Sequence, residues 1–87
     1  MEDAFSPHWF ATPDGRTVYA LTHPDRIVEH QSIGRFHRRH VLEVKTYADR
    51  LHVSSLLERL QQGLLRPMGQ QEYAEAVSNI ERLEPLP

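Results

Sequence analysis

The spacing of apolar residues divides the chain in two. Over its first half, short runs rich in β-branched and aromatic residues are separated by turn residues. Over its last third, apolar residues recur every three or four positions, the period of a helix. After a loose lead-in from Met1 to Pro7, His8–Ala11 carries Trp9 and Phe10. Pro13-Asp14-Gly15 then has turn chemistry, and Arg16–Thr22 (RTVYALT) returns as a strand. His23-Pro24-Asp25 breaks the chain again. Arg26–Gln31 makes a short third strand, with a turn at Ser32–Gly34.

The next stretch, IGRFHRRHVLEV, is the most unusual in composition and carries the clearest alternation in the chain. Read as a strand, its even face holds Phe36, Arg38, His40, Leu42, Val44 and Thr46. Its odd face holds Arg35, His37, Arg39, Val41, Glu43, Lys45 and Tyr47. Leu42 and Val44 then point inward. Arg35, His37 and Arg39 form a cationic row with members about 6.5–7 Å apart. Ala48-Asp49 reads as a tight turn and Arg50–Val53 as a return strand, so strands fill roughly 8–53.

Ser55 followed by Glu58 matches a capping box and predicts a helix over roughly 56–62, with Leu56, Leu57, Leu60 and Leu64 on one face and Gly63 as its stop. A second helix over roughly 70–83 carries Tyr73, Ala76, Val77, Ile80 and Leu83 as one stripe. Glu72 and Glu75 near its start and Arg82 near its end suit the helix dipole. Strands first and helices last predict an α+β fold, a single domain over 1–87. An antiparallel sheet of three to five strands would carry both helices on one face.

Composition narrows the function. There is no cysteine, which removes disulfides, a thiol nucleophile and cysteine-ligated zinc. The formal charge is −2, whereas a nucleic-acid binder of this size is usually strongly basic. All cations but Lys45 are arginine, which suits bidentate contacts. Half-protonation of the six histidines would carry the charge to about +1, so its sign is soft near neutrality. No apolar run is long enough for a membrane span. The acidic N-terminus lacks a signal pattern, and a cytoplasmic protein is expected. In size and composition, and in no motif, the chain resembles in general style the compact accessory and regulatory proteins of bacteria and their phages.

No catalytic constellation stands out. Glycine-rich loops, G-x-S-x-G and H-E-x-x-H are absent, and His30 and Ser32 lack an orienting third group. A small ribonuclease using His and Arg would have to hold a polyanion against the negative net charge. A non-enzyme without a cofactor is therefore expected.

The leading expectation is a small regulator, inhibitor or adaptor that binds a larger protein with an acidic or phosphate-bearing surface. Arg35, His37 and Arg39 would make the contact with help from Arg38 and Lys45. Trp9 or Tyr19 would anchor it. A homodimer is a further way to cover apolar surface left by so small a sheet.

Nucleic acid is the alternative partner, through the same row or through TYADRLHVSSLLERLQQG (residues 46–63), which resembles a helix-turn-helix. Against it, Glu58 stands where an apolar residue should lock two helices, His52 replaces the usual turn glycine, and Arg59 is the one cation of the second helix. A histidine metal site is the other alternative. Because His37 and His40 are three apart on a strand, they face opposite ways, and a site would have to assemble across strands from His8, His23, His30 and one of those two.

Overall fold

The computed structural model describes residues 6–87. Residues 1–5 of the expected lead-in lie outside them. Four antiparallel strands come first: β1 (His8–Ala11), β2 (Thr17–His23), β3 (Arg26–Ile33) and β4 (Phe36–Glu43). Helix α1 (Tyr47–Gln61) follows, then β5 (Arg66–Met68), α2 (Gln70–Glu81) and β6 (Glu84–Pro85). The fold is α+β. Its sheet has six strands in the order β5-β1-β2-β3-β4-β6, all antiparallel except the β4–β6 pair.

The sheet therefore exceeds the expected three to five strands. The two extra ones are short edge pieces that periodicity does not mark. β5 carries Pro67, which an edge strand accepts because the missing N–H need not enter a ladder.

β3 runs two residues past its expected end at Gln31. It turns at Gly34-Arg35, with Gly34 at φ 61° in the first central position, as a two-residue II′ hairpin requires. Arg35 thus sits in the turn, ahead of the strand.

The expected turn at Ala48-Asp49 and return strand at Arg50–Val53 are not formed. These residues are the first half of α1. The helix begins nine residues before Leu56 because a better cap lies upstream. Thr46 Oγ1 accepts from the Asp49 N–H (3.1 Å), and Asp49 Oδ2 accepts from the Thr46 N–H (3.0 Å). Ser55 and Glu58 sit inside the helix, exposed. The expected stop at Gly63 holds. With φ 79° it closes the helix by Gly63 N–H to Leu60 O and Leu64 N–H to Arg59 O, a Schellman motif. The stretch 46–63 is thus one uninterrupted helix and its stop, with no turn at His52–Ser54, and it has no helix-turn-helix geometry.

The helices lie on opposite faces, which corrects the expectation that both share one. Phe10, Leu21 and Ile27 pack with Leu56 of α1, with Tyr19 and Leu42 at the margin. Their chain neighbours Ala11 and Val18 point the other way and pack with Ile80 of α2, beside Tyr73, Ala76 and Val77 of the expected stripe; its last member, Leu83, lies beyond the helix, which ends at Glu81 and not at 83. Val18-Tyr19-Ala20-Leu21 is apolar at every position because β2 is covered on both sides. Bulky groups (Phe10, Tyr19, Leu21) meet α1, and small ones (Ala11, Val18, Ala20) let α2 come close. Among the described residues no helix is long and apolar enough to cross a membrane.

Candidate functional site: the open edge of β4 and its cleft

β4 is the penultimate strand of the sheet, but its cover is short. β6 pairs only with Phe36 and His37. The Glu84 N–H donates to Arg35 O and the Leu86 N–H to His37 O, both at 3.0 Å, so the backbone groups of odd-numbered residues face away from β3. On the inner side, the Val44 N–H donates to Asp25 O. By the alternation of an antiparallel ladder, the N–H and C=O groups of Arg39, Val41 and Glu43 also point outward. Among the described residues no strand meets them. An unpaired edge of this kind is a template for another strand.

The cationic row is less free than its composition suggests. Arg35 Nε lies 3.9 Å from Glu84 and its Cζ 5.2 Å from the centre of the Phe36 ring, Arg38 Nη2 bonds Gln31 Oε1 (2.8 Å) and lies 3.6 Å from Glu29, and Lys45 is 3.1 Å from Glu43. Of its arginines and lysine, Arg39 alone has no ion pair among the described residues. These pairs are of small energetic weight, but each sets a carboxylate beside a cation of the row.

His37 and Arg39 share the α2 face, whereas Arg38 and His40 share the α1 face, as alternation requires. The two aromatics part in the same way. Tyr19 stacks on Phe10 (centroids 5.1 Å apart) on the α1 face, and half-buried Trp9 lies on the α2 face opposite Ala20 and Met68. One contact surface therefore cannot use both, and Tyr19 is the one that shares the α1-side cleft with His40 and Leu42 of β4.

Beside that edge, α1 and the sheet enclose a cleft of about 250 Å³ lined by Tyr19, Ile27, Glu29, His40, Leu42, Asp49, His52 and Leu56. Its floor is Ile27, Leu42 and Leu56, and its rim is polar. Burial, and secondarily the Glu29 charge, pushes the Tyr19 hydroxyl pKa up, so it stays a neutral donor. The backbone N–H groups of Lys45 and Thr46 hold the Asp49 carboxyl below its usual range, and capping keeps it a fixed anion at the rim. Sequence reasoning missed His40, His52, Glu29 and Asp49 as a group. Asp49, His52 and Leu56 fall at helical spacing once Thr46 is read as the cap. Their meeting with β3 and β4 is a matter of tertiary packing.

On the other face, His30 is 5% exposed, and its Nδ1, like that of half-buried His37, has no hydrogen-bond partner among the described residues. Tyr73 of α2 meets its ring edge-on at 6.2 Å. Burial lowers the His30 pKa, Arg39 and His37 lower it further, and Glu81 opposes them. Among the described residues no three His, Asp or Glu side chains are grouped as metal ligands. His37 and His40 lie on opposite faces of β4, and His52 is exposed on α1. Comparison with protein-family models, with curated proteins and with solved structures returns no match.

Proposed function

We propose that this protein is a small non-enzymatic interaction module that captures an extended segment of a larger protein by strand addition along β4. The observation that carries the reading is the outward row of backbone donors and acceptors at Arg39, Val41 and Glu43, which no strand among the described residues meets where β6 ends. Main-chain bonds would supply affinity, and alternate side chains of the added strand would supply specificity.

The cleft fits the second role. At about 250 Å³ it is smaller than the ~300–1,000 Å³ of typical small-molecule pockets and better matched to one apolar side chain. A strand laid against β4 brings its α1-side residues next to His40 and Leu42, at the cleft mouth. Arg39, free of an ion pair among the described residues, would meet a carboxylate or phosphate on the segment's other face. Arg38 and Lys45 are engaged already and add less, and so does the loosely paired Arg35. His37 contributes through its position under β6 more than through its charge.

The test uses Val41→Pro, which removes one outward N–H while an edge strand tolerates the ring. Linear peptides selected from a random library on the wild-type chain are titrated into both proteins and followed by amide NMR. The expected result is hydrogen-exchange protection of the Arg39, Val41 and Glu43 amides in the wild type and loss of binding in the folded variant. Peptides that bind both proteins equally, or that shift only α2 resonances, would remove β4 as the receiving edge.

A further inference from the structure

The row that faces outward on β4 reads Arg39, Val41, Glu43: a cation, a small apolar residue, an anion. That order is its own antiparallel complement. When a second copy is laid edge to edge with the two-fold axis at Val41, Arg39 of each protomer stands opposite Glu43 of its partner, and Val41 stands opposite Val41. All three are outward-facing positions, so every facing pair is of the hydrogen-bonded kind and exchanges both of its main-chain bonds. Side chains on the α2 face then meet in opposite-charge and apolar pairs, which stabilise a sheet, and no like charges oppose one another within Arg39–Glu43. On the α1 face His40 meets Leu42.

The neighbouring registers lose this match. Moving the axis to Leu42 sets Arg39 against Lys45, two cations. Moving it to His40 sets Arg39 against Val41 and His37 against Glu43, and it drives the added strand into the place of β6. The centred register also ends where it must. The next outward pair would be His37 with Lys45, and His37 is already bonded to Leu86. β6 thus sets the length of the paired segment.

We infer that, without a target, the protein pairs with a second copy of itself through β4 in the register centred on Val41. The inference rests on the reading of β4 as the open edge. It names the occupant that a captured segment must displace. The pairing is isologous, as a two-fold dimer demands. Its short length makes it weak and reversible, in the class of small transient interfaces.

Sedimentation velocity of the full chain at low salt, over a concentration series and without peptide, tests it. The wild type is expected to show a reversible monomer–dimer equilibrium that Val41→Pro abolishes. Arg39→Glu sets like charges opposite one another twice per dimer, and so does Glu43→Arg. Each is expected to weaken dimerisation by about tenfold or more. The double exchange Arg39→Glu with Glu43→Arg restores opposite charges and the dimer. So does an equimolar mixture of the two single variants, which pair with each other.

A wild type that stays monomeric throughout overturns the inference. Single reversals that dimerise like the wild type also overturn it, as does a double exchange as weak as the singles. The peptide experiment separates the two readings. Protection of β4 by peptide in a monomeric wild type leaves segment capture standing and removes self-pairing. A dimer that obeys the exchange rule while no peptide protects β4 does the reverse.

Discussion

Replacing His30 by Leu separates packing from protonation at the most deeply buried ionisable group on the α2 face. The residue is 5% exposed, and its Nδ1 has no partner among the described residues. A buried unsatisfied polar atom costs about 1–3 kcal/mol. Leu, an apolar group of comparable size, removes that cost but gives up the edge contact with Tyr73, worth about 0.5–1.5 kcal/mol. Near neutral pH the second term offsets only part of the first, and a net gain of about 1 kcal/mol is expected.

The pH dependence is more diagnostic. Burial first, helped by the Arg39 and His37 charges and opposed by Glu81, holds the folded-state pKa of His30 below its ordinary value of 6.5. Below 6.5 the unfolded chain takes up a proton that the folded chain refuses, so stability falls as pH falls towards the folded value. Well above 6.5 both states are neutral and nothing changes. For one proton the slope inside that window is at most about 1.4 kcal/mol per pH unit.

The assay is urea unfolding by far-ultraviolet circular dichroism for both proteins, from about pH 8 to about pH 5. Carboxylate contributions are common to the two and drop out of their difference. The His30→Leu curve is expected to fall less steeply below 6.5, so that its advantage grows with acid. Parallel curves on the acid side would refute the argument, because they would mean that the imidazole accepts its proton as readily when folded.

The remaining predictions concern α1. Leu56→Ala removes a side chain 1% exposed at the centre of the larger apolar cluster and should cost about 2–5 kcal/mol, read as a fall in the urea midpoint. Thr46→Ala should cost about 0.5–2 kcal/mol in the same measurement, with Thr46→Ser close to wild type. Ser55→Ala should change stability by less than about 0.5 kcal/mol or raise it slightly, since Ser55 lies inside the helix and caps nothing. A large loss at Ser55 with none at Thr46 would contradict the start of α1 described above.

Local pattern determined more of this protein than its short length suggests. Alternation marked β4. Turn chemistry separated β1 from β2 and β2 from β3, and the stripe from Tyr73 to Ile80 announced α2. Gly63 stopped α1 as a residue free to take positive φ must. Each of these is decided by neighbours a few positions away.

The start of α1 was also written locally, in Thr46 and Asp49. Ser55 and Glu58 repeat the same spacing, and only the folded chain shows which pair holds free N–H groups. Which face each helix covers was not local at all. It follows from Phe10 and Ala11, adjacent in the chain, finding different partners across the sheet. Such contacts are chosen by volume and distance in three dimensions, which periodicity along one strand does not encode.

The candidate site divides along the same line. The cations of residues 35–45 were visible as composition, but their neutralisation by Glu84, Glu29 and Glu43 was not. The cleft joins residues from β2, β3, β4 and α1, and β6, two residues long, decides where the edge of β4 is left open. An edge is a relation between strands, so it exists only once the sheet has been assembled.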